Sequence, residues 1–250
     1  MVHMYRFTHR MIEVIQDDNA QDNKTVVPAE VTLANLTMFS TVLFMTEFHK
    51  MGMGDSVDIS KTCNMSEWHR RLYAGTRKQA SNTSREDEDE YIDILTLLPK
   101  PIPEAGVIYA TTSKSPNDAS DKEKFTSFLF AHHKQSIAQT IPSLPSQGAS
   151  IDKLSPETQA LISKLGVTHI WLCGSDPEQR RHGLMVQCLN QLEKDVYTWK
   201  SSGQASGIIT VHTIPQAFPG MVHFLTKNEF QGGDKVVGGD AGKVLFWKEV

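Results

Sequence analysis

The chain has 250 residues, 39% of them hydrophobic and 22% charged, with a formal net charge of −4 and a pI near 6.2. That balance provides for a globular core in one large domain or two small ones, and it excludes a protein-wide positive field for nucleic acid or an anionic membrane. Any anion site must be local.

Cys63, Cys173 and Cys188 are an odd number at wide spacing. They argue against a disulfide framework and for a reducing, cytoplasmic setting. The opening "MVHMYRFTHRM" has basic residues but no apolar core or small-residue cleavage site behind it, so no signal peptide is expected. The run Val31–Phe48 is the one stretch that tempts a membrane reading, but Asn35, Ser40, Glu47 and four threonines interrupt it. A buried helix fits better, and its apolar positions Leu33, Leu36, Phe39 and Leu43 lie near helical spacing over 28–51.

Ser66–Thr76 starts on a capping serine and contains Gly75 near its end, which predicts a second, shorter helix. Residues 77–90 are polar and then acidic and read as a solvated loop. Tyr91–Leu98 and Val107–Thr112 alternate as strands, with the proline-rich 99–106 between them. A helix is predicted around Lys124–Gln139, followed by a Pro/Ser/Gly stretch and a capped helix "SPETQALISKLG" closed by Gly166. From Gly166 onward the pattern is β–α–β–α–β: strand "VTHIWLCG", a basic turn, a helix over about 183–200, strand "GIITVHT", helix "AFPGMVHFLTKNEF" and strand "KVLFWKEV". No internal repeat is visible.

The basic turn lies in "SDPEQRRHGLM", Ser175–Met185. Cations at a helix N-terminus oppose the positive partial charge of its unpaired N–H groups, unless an anion lies between them. If the helix starts at Pro177, with Asp176 as its cap, Arg180 and Arg181 lie along its side and need no ligand. If it starts near Gly183, they ring an anion held by the first helical amides. One glycine is too few for a dinucleotide fingerprint. The glycine-rich 232–244 fails the phosphate-loop spacing and reads as a β-hairpin turn.

In its strand, basic turn and helix this region resembles the GNAT superfamily of N-acetyltransferases. The family's acyl-CoA motif, R/Q-x-x-G-x-G/A, lines up with Arg180, Arg181, His182, Gly183, Leu184 and Met185, where Met185 departs from Gly or Ala. Downstream, Leu225-Thr226-Lys227-Asn228-Glu229-Phe230 is similar to the family's Y-x-K-x-G-F ending, with Leu225 in place of the tyrosine and Glu229 in place of the glycine. The match is clear over 166–250 and rests on element order over 1–165. The resemblance implies an α/β, mixed-sheet, GNAT-like single domain over 1–250, with an acyl-CoA half at 166–250 and the acceptor side in 1–165. It implies acetyl-CoA as co-substrate, residues 180–185 around its pyrophosphate, and the backbone of Cys173, Gly174 and Ser175 along its pantetheine arm.

Acetyl transfer to an amine needs a base, a donor to the thioester oxygen, and an acid or water for the thiolate. His169 stands where the histone-acetyltransferase branch of the family carries its glutamate base, and it shares a strand face with Trp171 and Cys173. His212 and His223 are further candidates. Cys173 reads as a small strand residue rather than a nucleophile. His132 and His133 adjoin, and no metal-binding spacing accompanies them, so no metal is expected. The expected activity is transfer of an acetyl group from acetyl-CoA to a primary amine of a small molecule, with no nucleic acid or membrane partner. A GNAT-like module that binds acyl-CoA or a partner protein without catalysis is the alternative that Met185 and Leu225 favour.

Overall fold

A computed structural model of the chain describes residues 2–15, 26–51, 63–72, 106–114, 122–134, 154–236 and 242–250, side chains excepted over 233–236. The expected strand over 91–98, the loop over 77–90 and the Pro/Ser/Gly stretch before the "SPETQALISKLG" helix lie outside these residues. The fold is mixed α/β, and the chain divides into two compact units. One comprises Met1–Arg70, Val107–Ala131 and Ile170–Asp195, and the other Arg71–Gly106, His132–His169 and Val196–Val250. Each unit draws segments from both sides of residue 165.

In the first unit, β1 (Val2–Phe7) and β2 (Ile12–Ile15) form an antiparallel hairpin that the sequence reading did not anticipate. Thr8 closes it, its N–H donating to the Met11 carbonyl at 2.9 Å. β3 (Val107–Lys114) pairs antiparallel with β1 and with β4 (Glu123–Lys134), giving the strand order β2-β1-β3-β4-β5. β5 is Val167–Ser175. Strand β4 corrects the helix expected over Lys124–Gln139. Phe125, Thr126, Phe128 and Phe130 are stiff or aromatic side chains that suit a pleated surface, and the run from Phe125 to His132 is buried on both faces. Burial on both faces erases the alternation that marks a half-exposed strand, so periodicity alone could not separate it from a helix.

Helix α1 (Leu33–Lys50) begins where Thr32 Oγ1 accepts the Asn35 N–H at 3.1 Å. It packs Phe39 and Phe44 on Phe125 and Phe128 of β4, with ring centroids 6.2–6.4 Å apart. It lies so close to β5 that a Cβ built on Gly174 would sit 2.4 Å from Leu43 Cδ2, so any larger residue there would push the Leu43 side chain aside. Helix α2 (Met65–Leu72) sends fully buried Trp68 against Phe128 and Phe130. No helix among the described residues is long and apolar enough to cross a membrane.

In the second unit, α3 (Pro156–Leu165) has the expected Ser155 cap and Pro156 start, and Gly166 ends it at φ +70°. Leu154, Ile162, Val167, Ile208 and Trp247 form its core. Here the strand order is β4-β5-β6-β8-β7, with β6 Ile208–Thr213, β7 Gln231–Val236 and β8 Val244–Glu249. β8 is antiparallel to both neighbours; β7 takes up residues 231–236, most of them given to a turn in the expected hairpin over 232–244, whose residues 237–241 are not described. α4 (Leu184–Ser201) runs from the first unit into the second. α5 (Pro219–Lys227) precedes β7, and Glu229, just beyond it, has φ +66°.

Candidate functional site

The two readings of the basic turn differ in where the helix begins. Asp176 caps only a three-residue 3-10 turn, Pro177–Gln179, by accepting the Glu178 N–H at 3.0 Å. Arg180 is extended, Arg181 and Gly183 sit at φ +71° and +75°, and α4 starts at Leu184. The helix therefore begins after the cations. Two left-handed residues in three positions turn the chain sharply, and glycine at 183 adopts that conformation without a Cβ penalty. Nothing lies within 4 Å of where a Gly183 Cβ would stand, so the turn opens to solvent.

Arg181, His182 and Gly183 are exposed, Leu184 is buried beneath them, and Met185 is half-buried. The His182 ring meets the Gln179 carbonyl at 3.2 Å. Arg180 is not free: its guanidinium donates to Glu47 Oε1 of α1 at 2.9 Å. Burial opposes ionisation of Glu47, but the hydrogen bond and charge of Arg180, with help from Lys50, hold its carboxyl below the usual range. Sequence spacing gave no sign of this contact, because 133 positions separate the partners.

Upstream, Cys173, Gly174 and Ser175 are the half-buried end of β5. Ser127 Oγ donates to the Gly174 carbonyl at 3.2 Å and lies 3.0 Å from Ser175 Oγ. Burial pushes the Cys173 thiol up to about 12, which leaves no thiolate for nucleophilic attack at neutral pH.

His169 lies in the second unit at 4% exposure. Its Nδ1 is 3.0 Å from Thr210 Oγ1, and its ring contacts His212 at 5.1 Å and His132 at 5.8 Å between centroids. Arg71 donates to His132 Nε2 at 3.0 Å, so His132 carries its proton on Nδ1, toward the His133 carbonyl. Burial, with the nearby charges of Lys134, Arg71 and the other histidines, holds His169 well below the usual imidazole range. Burial and neighbouring cations likewise lower His132 to about 3, His212 to about 4 and Lys134 to about 8. Reading 124–139 as a helix hid this group. On a strand, His132 and Lys134 share a face and His133 points to the other. His223, on α5, is exposed and outside the row. Among the described residues no group of three or more His, Cys, Asp or Glu is arranged to hold a metal ion.

The sequence matches no protein-family model and no curated protein. Among solved structures, it is similar to the PaiA N-acetyltransferase of Thermoplasma acidophilum in complex with coenzyme A, at 10% identity and TM-score 0.44 over 100% of this chain and 99% of that one. It is also similar to Arabidopsis thaliana NAA60 in complex with a bisubstrate analogue, at 15% identity and TM-score 0.39, covering 75% and 95% of the two chains. A third is a GNAT-family acetyltransferase of Staphylococcus aureus, at 12% identity and TM-score 0.34, covering 74% and 94%.

Proposed function

We propose that the chain is a GNAT-like N-acetyltransferase that moves the acetyl group of acetyl-CoA directly to a primary amine of a small molecule. The observation that carries this reading is the start of α4 at Leu184, after a left-handed turn that collects Arg180, Arg181, His182 and Gly183. The amides of Leu184 and Met185 in the first helical turn have no intrahelical partner, and together with the cations they suit a pyrophosphate. Glu229, at φ +66°, also adopts the conformation for which the family's motif has glycine.

Attack of the amine on the thioester carbon forms the C–N bond and expels the thiolate, and the ammonium proton must leave first. We assign that proton to water, or to the histidine row when the amine is already near neutral, because burial and neighbouring cations hold His169 and His212 below the ordinary imidazole range. His169 is its sealed member, kept neutral by burial, and half-buried His212 is the more open ring beside it. Leu225 is buried and has no proton to give, so the thiolate takes one from water or from an unassigned group.

Thermal melting with acetyl-CoA and CoA tests this reading, because a ligand that binds only the native state raises its apparent stability. Both ligands should raise the melting temperature of the wild type and not that of Arg180→Ala/Arg181→Ala. Formation of free thiol with an amine panel then tests turnover. Binding without turnover favours an acyl-CoA-binding module, and no shift at millimolar ligand removes the proposal.

A further inference from the structure

Within the first unit, a cation of the turn and a cation of α1 converge on a single atom. Glu47 Oε1 accepts from the Arg180 guanidinium at 2.9 Å and from Lys50 Nζ at 3.3 Å. Laid end to end, the two contacts put the donor nitrogens at most about 6 Å apart, a gap that the oxygens of one phosphate bridge with charge-assisted contacts of about 2.8 Å. Lys50 is the last residue of α1, and its side chain is 54% exposed, so an incoming anion can reach it. Arg181, His182 and Gly183 follow Arg180 in the same open turn.

A helix C-terminus favours a cation by itself, and that accounts for a basic residue at position 50. It does not account for the lysine's sharing one oxygen with a residue of the turn, far along the chain. A carboxylate held by a guanidinium and an ammonium together occupies the place that a phosphate oxygen would take between them. Burial opposes ionisation of Glu47, yet Arg180 and Lys50 hold its carboxyl below the usual range, so both cations act at that point. Glu47 is itself partly exposed, and its carboxylate can turn to water when a group with more acceptor oxygens replaces it.

We propose that Lys50 is a phosphate-binding residue, and that it and Arg180 grip one phosphate group of acyl-CoA once Glu47 releases them both. Naming the ligand as acyl-CoA rests on the acetyltransferase reading, whereas the pairing of Lys50 with Arg180 around a phosphate does not. The motif over 180–185 ends within the turn and the start of α4, so this lysine comes from outside it, on a separate element. Glu47 then acts as a filter. A carboxylate gains nothing by replacing a carboxylate, whereas a phosphate brings further acceptor oxygens to the two cations.

Calorimetric titration of the full chain with CoA, 3′-dephospho-CoA and inorganic pyrophosphate tests this in wild type, Lys50→Met, Glu47→Gln and Glu47→Gln/Lys50→Met. Lys50→Met should weaken CoA binding by about fivefold in both backgrounds. Lys50→Arg should keep the wild-type affinity, as should Lys164→Met, which removes the same charge from an exposed position on α3. The Glu47→Gln background separates contact from indirect help: a lysine that touches phosphate keeps its effect there, and one that only draws Glu47 off Arg180 loses it. A loss with CoA alone places the 3′-phosphate at the pair, and an equal loss with dephospho-CoA places the pyrophosphate there; either supports the proposal. Equal CoA affinity of Glu47→Gln and the double variant overturns it and leaves the acetyltransferase reading standing. Binding of pyrophosphate that depends on Lys50, in a chain that does not bind CoA, supports the pair and removes the acyl-CoA reading. No binding of any of the three probes overturns both.

Discussion

Glu47→Gln is expected to tighten coenzyme A binding, by an amount the Glu47–Arg180 contact limits. The pair is 2.9 Å apart, with the Arg180 side chain 47% exposed and that of Glu47 24% exposed. At such exposure an ion pair contributes about 1 kcal/mol or less, and an incoming phosphate must displace that carboxylate before it can use Arg180. Removing the charge while keeping the amide's size should therefore lower the dissociation constant by up to about fivefold. The gain should shrink as ionic strength rises above about 0.15 M, because exposed pairs are screened within roughly 8 Å. Calorimetric titration of wild type, Glu47→Gln, Arg180→Gln and the double variant measures this as a thermodynamic cycle. The gain must vanish in the Arg180→Gln background. Unchanged or weaker binding in Glu47→Gln, or a gain that persists without Arg180, would refute competition between Glu47 and the ligand.

Gly183→Ala should cost about 1 kcal/mol, since an L side chain at φ +75° is strained and nothing stands within 4 Å to clash with the new Cβ. For a chain of this size that is a fall in melting temperature of about 2–4 °C, and an unchanged melt would show that residue 183 does not hold a left-handed conformation. Stability should also fall in acid. His132, His169 and His212 are held below the ordinary histidine range by burial and cations, so the folded chain stays neutral at these rings while the unfolded chain takes up protons. Their stabilisation is complete above about pH 7 and is lost as pH drops through about 6.5 toward the lower folded values, by at most about 1.4 kcal/mol per ring per pH unit. Urea unfolding between pH 7.5 and 5 reads the slope, and a profile that is flat in the wild type would mean the rings are hydrated.

Much of the second half of the chain was legible because its signals are local. Ser155-Pro156 and Gly166 bound a helix by satisfying its own end groups, and the strands at 167–175, 208–213 and 244–249 are short apolar runs between turn residues. The motif at 180–185 was readable as residues, but two starts of the following helix were compatible with them. That choice depended on whether α4 begins before or after the left-handed turn, and backbone dihedrals decide it.

By itself, the sequence determined the mixed α/β character, the α1 helix, the β5-α4-β6-α5 order after Gly166 with the final strand β8, and the presence of a cationic turn, since caps, periodicity and glycine act over a few residues, whereas strand β7 was hidden in residues that read as a glycine-rich turn. Only the tertiary structure decided that 123–134 is a strand, because burial on both faces removes its alternation. The same holds for the pairing of Glu47 with Arg180 and for the row His132, His169, His212 beside Lys134. Those contacts join residues tens to more than a hundred positions apart, and a chain's charges acquire partners, or are left without them, only when the sheet brings them together.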